Sequence, residues 1–283
     1  MKVIDLRCRP AYLHDFFGAN PGSPGYETAR WLNRRVGTRG SDEHFARSLT
    51  PEGFLAEVRE AGLTKAVVVG RHTPSQHLPN DVIHQITHPH DELLGIAGID
   101  PALQGVDGAL AEIDRTIDQL GLAGIGLEPG FGAPARHPDD ALYFPIYEHL
   151  NRRGLPLFLM SGPTTPDPAF NDPGRLAKVA QAFPQLRIVC YHGYYPNTQQ
   201  LVGVAFRYDN ISVVPDMYQF LPGSEVFVQA ANGFMGDQLL FGSSYPFRPI
   251  RQSIDDFLVL GFRGKVLDKL LYGNAARLFG LAA

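Results

Sequence analysis

Two arginines set two residues apart give the first chemical signal. Arg7 and Arg9 follow an apolar run in VIDLRCRP. That spacing puts both side chains on one face of a strand, pointing inward. A guanidinium pair can hold a carboxylate, or an oxygen that becomes negative during reaction, by forked charge-assisted hydrogen bonds. His192, in IVCYHG, is the candidate general base, since imidazole titrates near neutrality. Glu128 in GIGLEP and Asp216 in SVVPD are candidate acids or water-orienting groups. Tyr191, Tyr194 and Tyr245 can donate hydrogen bonds to a substrate, with Ser161, Ser244 and His72 as further contacts. Arg248 can bind a second anionic group. The same residues also have a structural reading. Arg7–Glu128 and Arg9–Asp216 ion pairs would form an internal ring without catalysis, and His192 would then be a satisfied buried histidine. Neither Ser161 nor Ser244 has a histidine–acid pair at a spacing that suits a nucleophile. His14, His77, His88 and His90 fall in loops and are expected to have no chemical role.

These residues share a position, the end of an apolar run. Strand-like runs cover Lys2–Cys8, Lys65–Gly70, Leu93–Asp100, Ala123–Pro129, Leu155–Gly162, Leu186–Gly193, Ile211–Asp216 and QLLFGSSYP from Gln238. They are continuous rather than alternating, as expected of strands buried on both faces of a parallel sheet. A helix-like segment follows each one. Eight such units in 283 residues predict a (β/α)8 TIM barrel, whose active site lies at the C-terminal strand ends. A doubly wound open sheet is the alternative, but no Gly-rich dinucleotide turn follows the first strand. No linker divides the chain, so residues 1–283 are expected to be one domain. Residues 11–50 form an insertion after the first strand, far longer than the usual ~2–6 residues, and are expected to be a lid or an oligomer contact. Trp31, Phe16 and Phe17 within it suggest a homodimer. Thr50, Pro51 and Gly62 mark the start and end of the next helix.

A net charge of −4 gives no reason to expect nucleic acid or an anionic membrane as a partner. No apolar run reaches the ~18 residues of a membrane span. The two cysteines, Cys8 and Cys190, are expected to be reduced and buried, which suits a cytoplasmic location.

Six segments together resemble the amidohydrolase-related family, in the branch that contains aminocarboxymuconate-semialdehyde decarboxylase. They are VIDLRCR, GIGLEP, PLFLMSG, PQLRIVCYHGYYP, LLFGSSYP and LYGNAARLFGL. The resemblance implies a barrel enzyme acting on a small molecule, usually with a divalent metal. The metal would be held by two first-strand histidines, a fifth-strand histidine, sometimes a sixth-strand one, and an eighth-strand aspartate. At those places this chain has Arg7, Arg9, Met160 and Ser244, and only His192 remains. Arginine is always protonated and cannot ligate a cation. The expectation is therefore a hydrolase that works without metal or other cofactor on a small anionic, carboxylated or lactone-like substrate. The alternatives are a carbon–carbon lyase of the decarboxylase type and a non-catalytic binding relative. A non-standard metal set of His192, Glu128 and Asp216 is also considered.

Overall fold

The computed structural model describes residues 1–39 and 42–282. Positions 40 and 41 of the 11–50 insertion, and residue 283, lie outside the described residues. The strands are β1 (Ile4–Cys8), β2 (Lys65–Val69), β3 (Arg71–Thr73), β4 (Gln76–Leu78), β5 (Leu93–Gly98), β6 (Ile125–Leu127), β7 (Leu157–Leu159), β8 (Ile188–Tyr191) and β9 (Ile211–Val214). Seven of them form a parallel sheet in the order β1-β2-β5-β6-β7-β8-β9. The segment from Leu239 closes it. Leu240 N donates to Val213 O on one side, and Leu6 N donates to Phe241 O on the other. This is the expected TIM barrel. The last staves do not form a regular ladder, because Phe241 N turns to Leu270 O and Ser243 N turns to the Asp5 side chain. A Cβ on Gly242 would stand 2.7 Å from Val214 and 3.2 Å from the Arg7 Cβ, so only glycine allows this close approach.

The core has two parts. Ile4, Leu6, Val67, Val69, Ile96, Phe158, Val189, Tyr191, Val214 and Leu240 fill the barrel, with Ala275, Ala276 and Leu278 packed against them. Cys8, Val68, Leu159, Cys190, Val213 and Phe241 pack outward with the helices. Simple alternation would place Cys8 on the same side as Ile4 and Leu6. The register instead shifts between Asp5 and Cys8. Such an irregularity re-aims side chains, and here both Leu6 and Arg7 serve the interior. Asp5 holds this turn of the chain together. Its Oδ1 accepts from Arg7 N at 3.0 Å and Ser243 N at 2.9 Å, tying the first stave to the last.

Two features were not expected from the sequence. β3 and β4 form an antiparallel hairpin beyond β2, with His72 opposite His77. The insertion is also anchored at both ends. Ala11 N donates to Ser48 Oγ at 2.7 Å, while Asn33 and Thr38 side chains both donate to Phe247 O. Its helix Pro24–Arg35 starts on a Ser23 cap, and Thr50 caps Pro51–Glu60 as expected. Phe17 is buried and Phe16 packs on Phe17 and Phe247, so both find cover within the chain, whereas Trp31 is 46% exposed.

Substituting Asp5→Ala strips two buried N–H groups of their acceptor and is expected to lower unfolding free energy by about 2 kcal/mol or more. Asp5→Asn keeps the Oδ1 acceptor and should cost much less. Burial raises the Asp5 pKa to about 6. Its ionisation therefore works against the fold as pH climbs from the ordinary carboxylate range toward 6, and D5N should lose that slope. Urea unfolding of the three proteins across this pH range checks both statements. Equal stabilities for D5A and D5N would exclude the tie.

Candidate active site

A cavity of about 200 Å³ opens at the C-terminal ends of the strands. Its polar lining is Arg7, Arg9, Arg71, Gln76 and His192, with Ser75 and Thr164 beside them. Phe16, Phe17 and Leu32 of the insertion, with Phe131, Met160, Met217 and Phe247, supply apolar walls.

Two of the three arginines share one carboxylate, and the third has none among the described residues. Arg9 donates to Glu128 at 2.7 Å and to the carbonyls of Val69 and Gly70 at 2.9 and 3.0 Å. Arg71 reaches the other Glu128 oxygen at 2.8 Å. Burial raises the Glu128 carboxyl, but Arg71, Arg9 and Arg7 together outweigh it and hold the pKa below the ordinary range. Burial and the Arg7 charge push Arg9 down to about 9, against the pull of Glu128, which leaves it protonated at neutral pH. Arg7 makes no ion pair among the described residues. Its Nη2 faces the Met160 sulfur at 3.8 Å, its guanidinium lies 5.0 Å from the Tyr191 ring centroid, and its buried Nε has no partner.

His192 is held by Asp216. The Nδ1–Asp216 contact is 2.8 Å, and His192 N also donates to Asp216 at 3.2 Å. Tyr218 meets the imidazole edge-on at 5.0 Å. The bond at Nδ1 directs the other ring nitrogen, Nε2, away from Asp216. Burial is the largest influence on this histidine. With the Arg7 and Arg9 charges it outweighs Asp216 and puts the pKa below the ordinary 6.5. His192, Tyr194, Asp216 and Ser244 all have positive φ, of 64°, 52°, 47° and 60°. Such backbone costs about 1–3 kcal/mol per residue and tends to collect at functional sites.

Several residues expected in the site lie elsewhere. The Tyr191 hydroxyl donates to Leu6 O at 2.9 Å inside the barrel, so its ring supports Arg7 from below. Tyr194 packs between barrel and helices. The Tyr245 hydroxyl donates to His44 O at 3.1 Å, and its ring lies against Phe54. The Ser161 hydroxyl is used twice, donating to Tyr191 O and accepting from Tyr194 N. Arg248 is buried against the Phe220 ring, bonded to Val36 O and Asp256. His72 lies against His77 on the hairpin, ring planes tilted by 51°, outside the cavity lining. Ser244 is buried, its hydroxyl has no partner, and it does not line the cavity. The Arg7–Glu128 and Arg9–Asp216 pairs of the alternative structural reading do not form; the pairs are Arg9–Glu128, Arg71–Glu128 and His192–Asp216. Arg71 stands at the end of the second strand-like run but was not among the expected site residues, and neither was Gln76. Arg71 follows KAVVVG directly, and its place one residue past a buried strand was the available signal.

The residues present do not suit a resident metal ion. The places of four expected ligands hold two guanidiniums, a thioether and a hydroxyl. His192 and Asp216 are bonded to each other, Glu128 serves two arginines, and no metal-holding group of three His, Cys, Asp or Glu side chains occurs among the described residues.

The amidohydrolase family model matches residues 34–281, and the chain belongs to that family. An uncharacterized TIM-barrel protein from Bordetella bronchiseptica is 31% identical over 99% of both chains, with a TM-score of 0.90. A 2,6-dihydroxybenzoate decarboxylase complexed with 2,6-dihydroxybenzoate is 19% identical over 99% of both chains, with a TM-score of 0.70. A probable 2-pyrone-4,6-dicarboxylic acid hydrolase from Acinetobacter baumannii is 15% identical, covers 99% of this chain and 100% of its own, and has a TM-score of 0.63. These last two share the fold. No curated protein matches the chain. No helix among the described residues is long and apolar enough to cross a membrane.

Replacing Glu128 with Gln leaves Arg9 and Arg71 buried without their carboxylate, and is expected to cost about 3–5 kcal/mol of stability. Because the Glu128 pKa is depressed, its contribution is present above the ordinary carboxylate range and lost as pH falls through the lower folded value. Acid unfolding of the wild type should therefore show a loss that E128Q lacks. Unchanged stability in E128Q at neutral pH would contradict the shared-carboxylate arrangement.

Proposed function

We propose that the protein is a hydrolase for a small carboxylated ester or lactone, and that it works through Arg7 and His192 without a resident metal. The observation that carries this reading is the Arg7 guanidinium, buried without a counter-ion in the same cavity as an imidazole backed by Asp216. A substrate carbonyl beside Arg7 is polarised by that charge, which is worth more in a site shielded from water. Water then attacks the carbonyl carbon while His192 Nε2 takes its proton. Asp216 holds the Nδ1 proton and steadies the imidazolium. The tetrahedral oxyanion faces Arg7. Its collapse breaks the carbon–oxygen ester bond, and His192 returns the proton to the leaving alkoxide. The products are an alcohol and a carboxylic acid, which ionises and releases one proton to solvent, with one water consumed.

The cavity supports a small substrate. At about 200 Å³ it is below the ~300–1,000 Å³ of pockets for drug-sized ligands. The guanidinium excess favours an anion. A decarboxylase is the second reading, favoured by the apolar walls and by the fold shared with 2,6-dihydroxybenzoate decarboxylase. Uptake of 18O from labelled water into a product carboxylate separates hydrolysis from release of CO2.

Across a panel of carboxylated lactones, Arg7→Met and His192→Asn are each expected to lower kcat/KM by about 100-fold or more, the scale of an oxyanion donor or a general base. Full turnover in either variant sinks the mechanism. Since the base must be neutral and its pKa is lowered, kcat/KM should be flat at pH 7 and fall on acidification with an apparent pKa below 6.5. An acid limb centred above 7 would contradict His192 as the base.

A further inference from the structure

Two further residues lining the cavity, besides Arg7 and His192, carry buried polar atoms without partners. Arg71 opens the β3–β4 hairpin and Gln76 begins its return strand. Both line the cavity. Arg71 is only 5% exposed, and its Nε has no hydrogen-bond partner. The contact with Glu128 is made by its Nη2. The Gln76 Oε1 is likewise buried and unpartnered. An amide can present its NH2 or its oxygen by turning over. The guanidinium lies 4.9 Å from the Phe131 ring centroid and 5.9 Å from that of Phe16, so it is held in place and shielded from water.

Buried donors without acceptors are costly. One such donor, Arg71 Nε, and the Gln76 amide come from one hairpin that lines the cavity. A ligand carboxylate would accept from Arg71 and, with the Gln76 amide turned over, from its NH2. The charges agree. Arg7, Arg9 and Arg71 face the single carboxylate of Glu128, while Asp216 is committed to His192. Glu128 offsets one guanidinium, and the excess is located at Arg7 and Arg71.

We infer that Arg71 and Gln76 form a carboxylate-binding subsite separate from Arg7, and that the cavity selects single-ring compounds with an acceptor group at each of two positions. This rests on the reading of Arg7 as the group that meets the reacting carbonyl. The subsite takes an unreacting carboxylate of the same molecule and sets which end of the ring faces His192. Its residues come from a hairpin that the barrel itself does not require, so specificity is carried by an element outside the reacting pair.

The test uses unreactive probes, so that binding is measured apart from turnover. Benzoate offers one carboxylate and isophthalate offers two. By calorimetry the wild type is expected to bind isophthalate about tenfold or more tightly than benzoate, the worth of one charge-assisted hydrogen bond. In Arg71→Met and in Gln76→Leu that preference should shrink toward one, with benzoate affinity kept. Q76L changes no buried charge, so it reports on the subsite even if R71M is poorly folded. Equal binding of the two probes by the wild type, or an undiminished preference in both variants, overturns the inference. If the preference behaves as expected but no 18O enters product, the subsite stands and the hydrolytic reading fails.

Discussion

The site depends on one carboxylate shared between two buried arginines. Glu128 meets Arg9 and Arg71 with one oxygen each and offsets one of their two charges. A buried charge is expensive unless it is paired, so this arrangement decides which guanidinium is left over. Arg7 is the guanidinium left with no carboxylate contact among the described residues; it rests on the Tyr191 ring and the Met160 sulfur. Soft, neutral partners hold its position and leave its charge available to a ligand. Asp216 is kept from it by the bond to His192.

The barrel's irregularities serve that arrangement. The register shift in β1 turns Arg7 inward along with Leu6, and Asp5 secures the shift to Ser243 of the closing segment. Gly242 lets that segment pass close to Arg7 and Asp216. Left-handed backbone at His192, Asp216 and Ser244 lies at three successive strand ends. The insertion contributes apolar walls through Phe16, Phe17 and Leu32, and its clamp on Phe247 holds those walls against the loop after the last stave.

Much of this was legible in the sequence, for physical reasons. Strands buried on both faces must be continuously apolar, so runs such as KAVVVG and LPLFLMSG announced a parallel barrel, and the residues after them marked its mouth. The replacement of ligands by Arg7, Arg9, Met160 and Ser244 was readable because each sits in a recognisable segment. Pairing was not readable. Which acid meets which arginine depends on distances across the barrel, and Arg71 took the place expected for Arg7 at Glu128. Side-chain direction past a strand end was also hidden. Tyr191, Tyr194 and Tyr245 all follow apolar runs, yet one points into the barrel and two point toward the helices. The hairpin at 71–78 was obscured because its strands are only three residues each.

In the proposed mechanism, guanidinium charge at Arg7 acts where the family resemblance implies a metal ion. Elemental analysis of the purified, active protein tests it most directly. Metal-free catalysis predicts zinc, manganese and iron all far below one equivalent per chain, with activity unchanged by chelator. One equivalent of a transition metal, removed by chelator together with activity, would contradict it.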